Sequence, residues 1–117
     1  MSLDLLWWNR NTGVIQVWFM DGTDRVGFNN VKEQSTQQEH HVTVPWVLVG
    51  TGDFNRDGNI DLLWHNHRTG VIQVWFMDGT DRVGVNNVKE QSTQQELHIP
   101  ITTEWWLRGA GNFRKGS

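Results

Sequence analysis

The sequence predicts an all-β fold built from copies of one small antiparallel sheet, and three observations carry that prediction. The first is an internal repeat. Residues 4–39 read DLLWWNRNTGVIQVWFMDGTDRVGFNNVKEQSTQQE and residues 61–96 read DLLWHNHRTGVIQVWFMDGTDRVGVNNVKEQSTQQE. The offset is 57, with four differences: Trp8/His65, Arg10/His67, Asn11/Arg68 and Phe28/Val85. A period of roughly 50 residues belongs to repeat arrays such as propeller blades. The second is composition. Eight Trp, no Tyr and two Pro in 117 residues, with abundant Asn, Gln, Thr and Gly, suit strands joined by turns. The third is the run Val71–Met77, apolar on both faces apart from Gln73, which reads as a strand covered on both sides. A four-stranded antiparallel sheet with both faces covered is a β-propeller blade; a β-sandwich or small barrel is the alternative.

Within one copy the elements follow in order. Trp46–Val49 is a short apolar strand, followed by Gly50 and Gly52, where small residues let backbones approach closely. Leu62–Trp64 is the second strand, His65–Gly70 a polar turn, and Val71–Met77 the third strand. Asp78-Gly79 is a hairpin signal, since such turns need positive φ. Thr80–Val88 reads as a more polar outer strand, and Gln91–Glu96 as an exposed polar loop or edge. The other copy repeats this from Asp4. Residues 1–52 therefore hold strands two to four of one blade and the first strand of the next. Residues 53–117 hold an acidic loop, strands two to four, and the first strand of a following blade.

Charge and apolar patterning narrow the functional classes. A net charge of −3 gives no reason to expect nucleic acid. No apolar run approaches the roughly 20 residues that a membrane helix needs. Met1–Asp4 has neither a basic segment nor a long apolar one, so it does not read as a secretory signal. There is no cysteine, hence no disulfide to staple so small a core.

One loop carries chemistry. Asp53-Phe54-Asn55-Arg56-Asp57-Gly58-Asn59-Ile60-Asp61 has the spacing D-x-N-x-D-G-x-x-D. Calcium takes six to eight oxygen ligands. Asp53, Asn55, Asp57 and Asp61 offer side-chain oxygens, Asn59 a backbone carbonyl, and Gly58 the sharp turn. An EF-hand would place Glu at the twelfth loop position, where this chain has Trp64. The alternative is a polar turn closed by Asx hydrogen bonds without metal. Asn112-Phe113-Arg114-Lys115 stands at the equivalent place after the second copy, and its two cations argue against an ion there.

The stretch GTGDFNRDGNIDLLWHNHRTGVIQVWFMDGT resembles the FG-GAP or VCBS repeat of bacterial proteins, whose loop also occurs in integrin-type propellers. The likeness is specific over residues 46–80, and residues 4–23 repeat its latter half. It implies a propeller with calcium held by Asp53, Asn55, Asp57, Asn59 and Asp61 between the first two strands of a blade. It also implies an extracellular or cell-surface setting. It does not imply one function, because the family includes lectins, adhesion proteins and domains attached to enzymes.

Two functions follow as expectations. One is an oligomeric propeller scaffold with structural calcium loops, recently duplicated or engineered. The other is a lectin-like carbohydrate-binding module, with Trp8, Trp46, His65, Trp105 and Trp106 as ligand candidates and Asn9 and Asn66 as polar partners. Packing between blades is the competing reading for those tryptophans. No nucleophile–base pair or phosphate loop is visible, so an enzyme is not expected. The assembly expectation is the sharpest. Leu3–Leu6 is a second strand and Trp105–Arg108 a first strand, each without its hairpin partner. Head-to-tail pairing satisfies both and closes into a ring. Two blades per chain require an even blade number, and three chains giving six blades is the expected state.

Overall fold

The computed structural model describes residues 3–114. Met1, Ser2 and Lys115, on which the leader and junction readings partly rest, lie outside the described residues. The described chain is all-β. β1 (Leu5–Trp8), β2 (Ile15–Asp21) and β3 (Asp24–Asn30) form an antiparallel sheet in the order β1-β2-β3. β4 (Lys32–Glu33), β5 (Trp46–Gly52), β6 (Asp61–Asn66), β7 (Ile72–Asp78) and β8 (Asp81–Asn87) form a second sheet in the order β4-β8-β7-β6-β5. Neither sheet closes on itself. β5 to β8 is the antiparallel four-strand unit expected of one repeat. β4 reaches across from the preceding repeat and pairs with β8 in parallel, Lys32 opposite Asp81 and Glu33 opposite Arg82.

Local chemistry sets these strands with three departures from expectation. β6 runs on through His65 and Asn66, where the sequence predicts a turn, because Val47 and Trp46 continue the ladder opposite them. Asn66 Oδ1 then accepts the N–H groups of Arg68 and Thr69 at 3.0 and 2.9 Å and closes the turn. The β7–β8 register pairs Asp78 with Asp81, so the two loop residues are Gly79 and Thr80. Only Gly79 has positive φ, +61°, the pattern of a II′ turn with glycine first. A Cβ at Gly50 would meet nothing within 4 Å, so no close approach requires glycine there; the ring of Phe54 lies against Gly52. Gln73, the one polar residue between Ile72 and Met77, is satisfied in place: its amide donates to Asn87 Oδ1 at 2.8 Å and accepts from Trp75 Nε1 at 2.8 Å.

The core lies between the two sheets and is asymmetric. Strand alternation sends Leu6, Trp8, Ile15 and Val17 of the first sheet, with Val31, to one side. They pack against Leu62, Trp64, Trp75 and Met77 of the second sheet, with Trp46 and Leu48 alongside. Trp64 meets Trp75 at a ring separation of 5.1 Å and Trp8 edge-on at 5.8 Å.

Candidate functional site

The repeat allows each face of one sheet to be compared with the same face of the other. In the second sheet Leu62, Trp64, Trp75 and Met77 are buried, with Trp64 only 1% exposed. Their counterparts at minus 57 are Leu5, Trp7, Trp18 and Met20. Among the described residues no other sheet covers them: Leu5 is 43% and Trp7 50% exposed. Trp7 and Trp18 nevertheless keep the contact of Trp64 and Trp75, at 4.9 Å. On the opposite side, Leu63, His65, Ile72, Val74 and Val88 are the counterparts of the packed face of the first sheet. Among the described residues they meet no second sheet, yet Leu63, His65 and Val74 are only 4%, 2% and 6% exposed. His65 and its neighbours are covered by the following segment, His65 Nε2–H donating to the Ile99 carbonyl at 2.8 Å. The first sheet thus presents one half of the internal interface again on its outer side, whereas the matching face of the second sheet is buried within the chain.

The edges repeat the theme. β1 pairs with β2 alone, whereas its counterpart β6 lies between β5 and β7. Residues 105–111, the counterpart of β5, form no strand. Trp105 and Trp106 are 72% and 56% exposed. Residues 110–114 face residues 51–56 across a cleft of about 830 Å³.

The acidic loop is folded by its own carboxylates. Asp53 accepts the N–H groups of Asp57 and Gly58 at 3.1 and 2.9 Å. Asp57 accepts that of Asn59 at 2.9 Å. This bond, with further ones from the Asn55 and Asn59 side chains, holds the Asp57 carboxyl below its ordinary range. Asp61 is fully buried and bridges elements: Oδ1 accepts Met77 N–H at 2.9 Å and Oδ2 accepts Phe54 N–H at 3.1 Å. Among the described residues no three Asp, Glu, His or Cys side chains form a metal cluster by themselves. A cation here would also need Asn55 Oδ1 and the Asn59 carbonyl. Both remain oxygen donors in a loop with three carboxylates, so the donor set suits a hard cation.

The ligand candidates do not converge. Trp8 and Trp46 belong to the intersheet core, and Trp8 Nε1 donates to the Val42 carbonyl at 2.7 Å. His65, His67 and Trp106 form a separate edge-on series, at 5.2 and 5.5 Å. Burial, then the neighbouring His65, pushes the His67 pKa down. Trp105 stands apart in solvent. A different concavity, about 400 Å³, joins Trp46 to His41, Trp64, Gln73 and Trp75. The first three strands show its incomplete counterpart around Trp7, Gln16 and Trp18. Of that group the sequence marks only Trp46 as a ligand candidate, because Trp64 and Trp75 read as core and His41 as a solvated histidine.

A second cluster escaped the sequence reading. Glu33 Oε1 accepts from Arg82 Nε at 2.8 Å and from His40 Nε2–H at 3.1 Å. His40 lies against Trp75 at 4.8 Å, and the Arg82 guanidinium sits 4.7 Å from the same ring. The Arg82 bond, then that of His40, outweighs desolvation and lowers the Glu33 pKa. For His40, burial and then Arg82 outweigh the Glu33 bond and lower its pKa. These residues join the hairpin after β3 to the face of β8. The signal available was the identity of residues 32–39 with 89–96, which marks a segment with a defined dock.

Comparison of the chain with protein-family models, with curated proteins and with solved structures gives no match.

Proposed function

We propose that this chain is a self-assembling β-propeller module of the FG-GAP/VCBS type, a scaffold whose ring is completed by further copies of itself. The observation that carries this reading is the asymmetric internal interface, one half of which recurs part-exposed on the outer face of the first sheet, at Leu5, Trp7, Trp18 and Met20. Such a contact is heterologous, and it closes into a ring when the rotation fits. The inner strand follows the same logic. Placed on a neighbour's β1 in the β5–β6 register, residues 105–111 bring Trp105 opposite Asn9, Leu107 opposite Trp7 and Gly111 opposite Asp4. The position of residues 110–114 beside the end of β5 suits consecutive inner strands around an axis. Three chains and six blades are our assignment. Native mass spectrometry of the 117-residue chain tests it: the expected species is the trimer, and a folded monomer at micromolar concentration overturns the proposal.

In the same reading, Asp53, Asn55, Asp57, Asn59 and Asp61 hold one calcium ion that pins the β5–β6 connection. Calcium bound only by the folded state raises its stability by mass action. An unchanged melting temperature in excess chelator sinks the ion. The concavity around Trp46, Trp64 and Trp75 supports carbohydrate binding as a second reading, because its size and aromatic lining match small-ligand sites. Tryptophan fluorescence titrated with monosaccharides tests that; a flat response removes it.

A further inference from the structure

We infer that the subunits of this ring are held by a second, outer contact: the hairpin at residues 88–97 of one copy docks on β3 of the next, with Glu90 paired to Arg25. The inference rests on the self-assembly reading and adds a surface that the inner strand and packed faces do not include. The chain carries its own template. Residues 32–39 and 89–96 are both KEQSTQQE. The first copy docks on β8: Lys32 N–H donates to the Thr80 carbonyl at 3.1 Å and Gln34 N–H to the Arg82 carbonyl at 3.0 Å. The Glu33–Arg82 ion pair lies between them.

Both halves of the second contact are already shaped. Glu90 N–H bonds the Gln95 carbonyl at 2.9 Å, as Glu33 N–H bonds that of Gln38, and Gln94 and Gln37 share a φ of +58°. The hairpin is therefore preformed and needs little ordering on docking. On the other side, Arg25 stands 4.8 Å over Trp18, as Arg82 stands over Trp75. Among the described residues no carboxylate lies within ion-pair distance of Arg25. Asp24 and Arg25 are exposed where their counterparts Asp81 and Arg82 are half-buried. A neighbour's Lys89–Gln91 would place N–H groups on the Thr23 and Arg25 carbonyls and Glu90 against the guanidinium. Leu97, in the place of His40, would then cover Trp18. This contact replaces a titratable ring partner with an apolar one, and Phe28, which Arg25 also approaches at 5.2 Å, replaces Val85. The two junctions therefore differ in chemistry while sharing one geometry.

Charge reversal separates this contact from the ring itself. Arg25→Glu and Glu90→Arg each set like charges together at every subunit junction and should weaken association at least about tenfold. The double variant should recover most of it. Sedimentation equilibrium over a concentration series reads this, with circular dichroism checking the fold. A second measurement uses the absence of native cysteine. Asp24→Cys with Lys89→Cys, equivalent in register to Lys32 and Asp81, should oxidise to covalent multichain species. Lys32→Cys with Asp81→Cys should stay at the mass of one chain. Wild-type association in both single reversals, with no cross-linked species, overturns the outer contact and leaves the ring standing. A monomeric wild-type chain overturns both.

Discussion

Gly70 shows how much a single backbone position decides here. It has φ +83°, and a Cβ there would lie 2.5 Å from the backbone nitrogens of Ile99 and Pro100; Gly13 repeats this against Val42. Gly70→Ala combines strain with a clash against backbone. It should cost more than about 1 kcal/mol, read as a lower urea midpoint with an unchanged slope. Gln94 is less obvious, because residues 91–96 read from sequence as a tolerant polar loop. Its φ of +58° makes a β-branched residue there costly, so the polar composition hid a conformational demand. His40 supplies a pH dependence. Its folded pKa lies below the ordinary value near 6.5, through burial and then Arg82. Its contribution is complete above about pH 6.5 and is lost as the pH falls through the folded pKa. His40→Leu, copying Leu97, should flatten the stability profile below that pH and leave the share due to His67. An unchanged profile in thermal melts at pH 5 and 7 would remove His40 from the account.

At the scale of elements, the loop before β6 divides into an anchor and a turn. Asp61 holds two backbone N–H groups from different elements, inside the protein. Asp61→Ala leaves them without an acceptor and should cost at least about 2 kcal/mol even in chelator. Asp57 bonds only within the exposed loop, so Asp57→Ala should be mild in chelator and should abolish stabilisation by calcium. Melting curves of both variants with and without the ion separate the roles. Equal losses in chelator would mean that the loop is one unit. The sequence showed these residues together because their spacing is local. It did not show that Asp61 faces inward, which depends on β7 passing beside it. The strands were legible for the same reason, through runs of Val, Ile and Trp and through the glycine of the hairpin. The extension of β6 was not, since His65 and Asn66 are strand residues only while Trp46 and Val47 lie opposite.

At the scale of the whole molecule, the repeat turns one substitution into two different experiments. Trp64 and Trp7 are the same residue of the same strand, one sealed between the sheets and the other half in solvent. Pairing one repeat with another was legible in the sequence. Which face meets which was not, because both faces of the third strand are apolar and only their packing tells them apart. Trp64→Ala empties a buried site within the chain and should cost about 3–5 kcal/mol at any protein concentration. Trp7→Ala should leave the folded single chain much closer to wild type, because in the proposed assembly a neighbouring copy is what covers that side chain. Its cost should appear as dissociation, with a melting temperature that falls on dilution more steeply than wild type. Unfolding followed over a hundredfold range of concentration decides between the two. If Trp7→Ala behaves like Trp64→Ala, with no dependence on concentration, the outer face is part of the single chain's own stability, and the head-to-tail ring loses its main support.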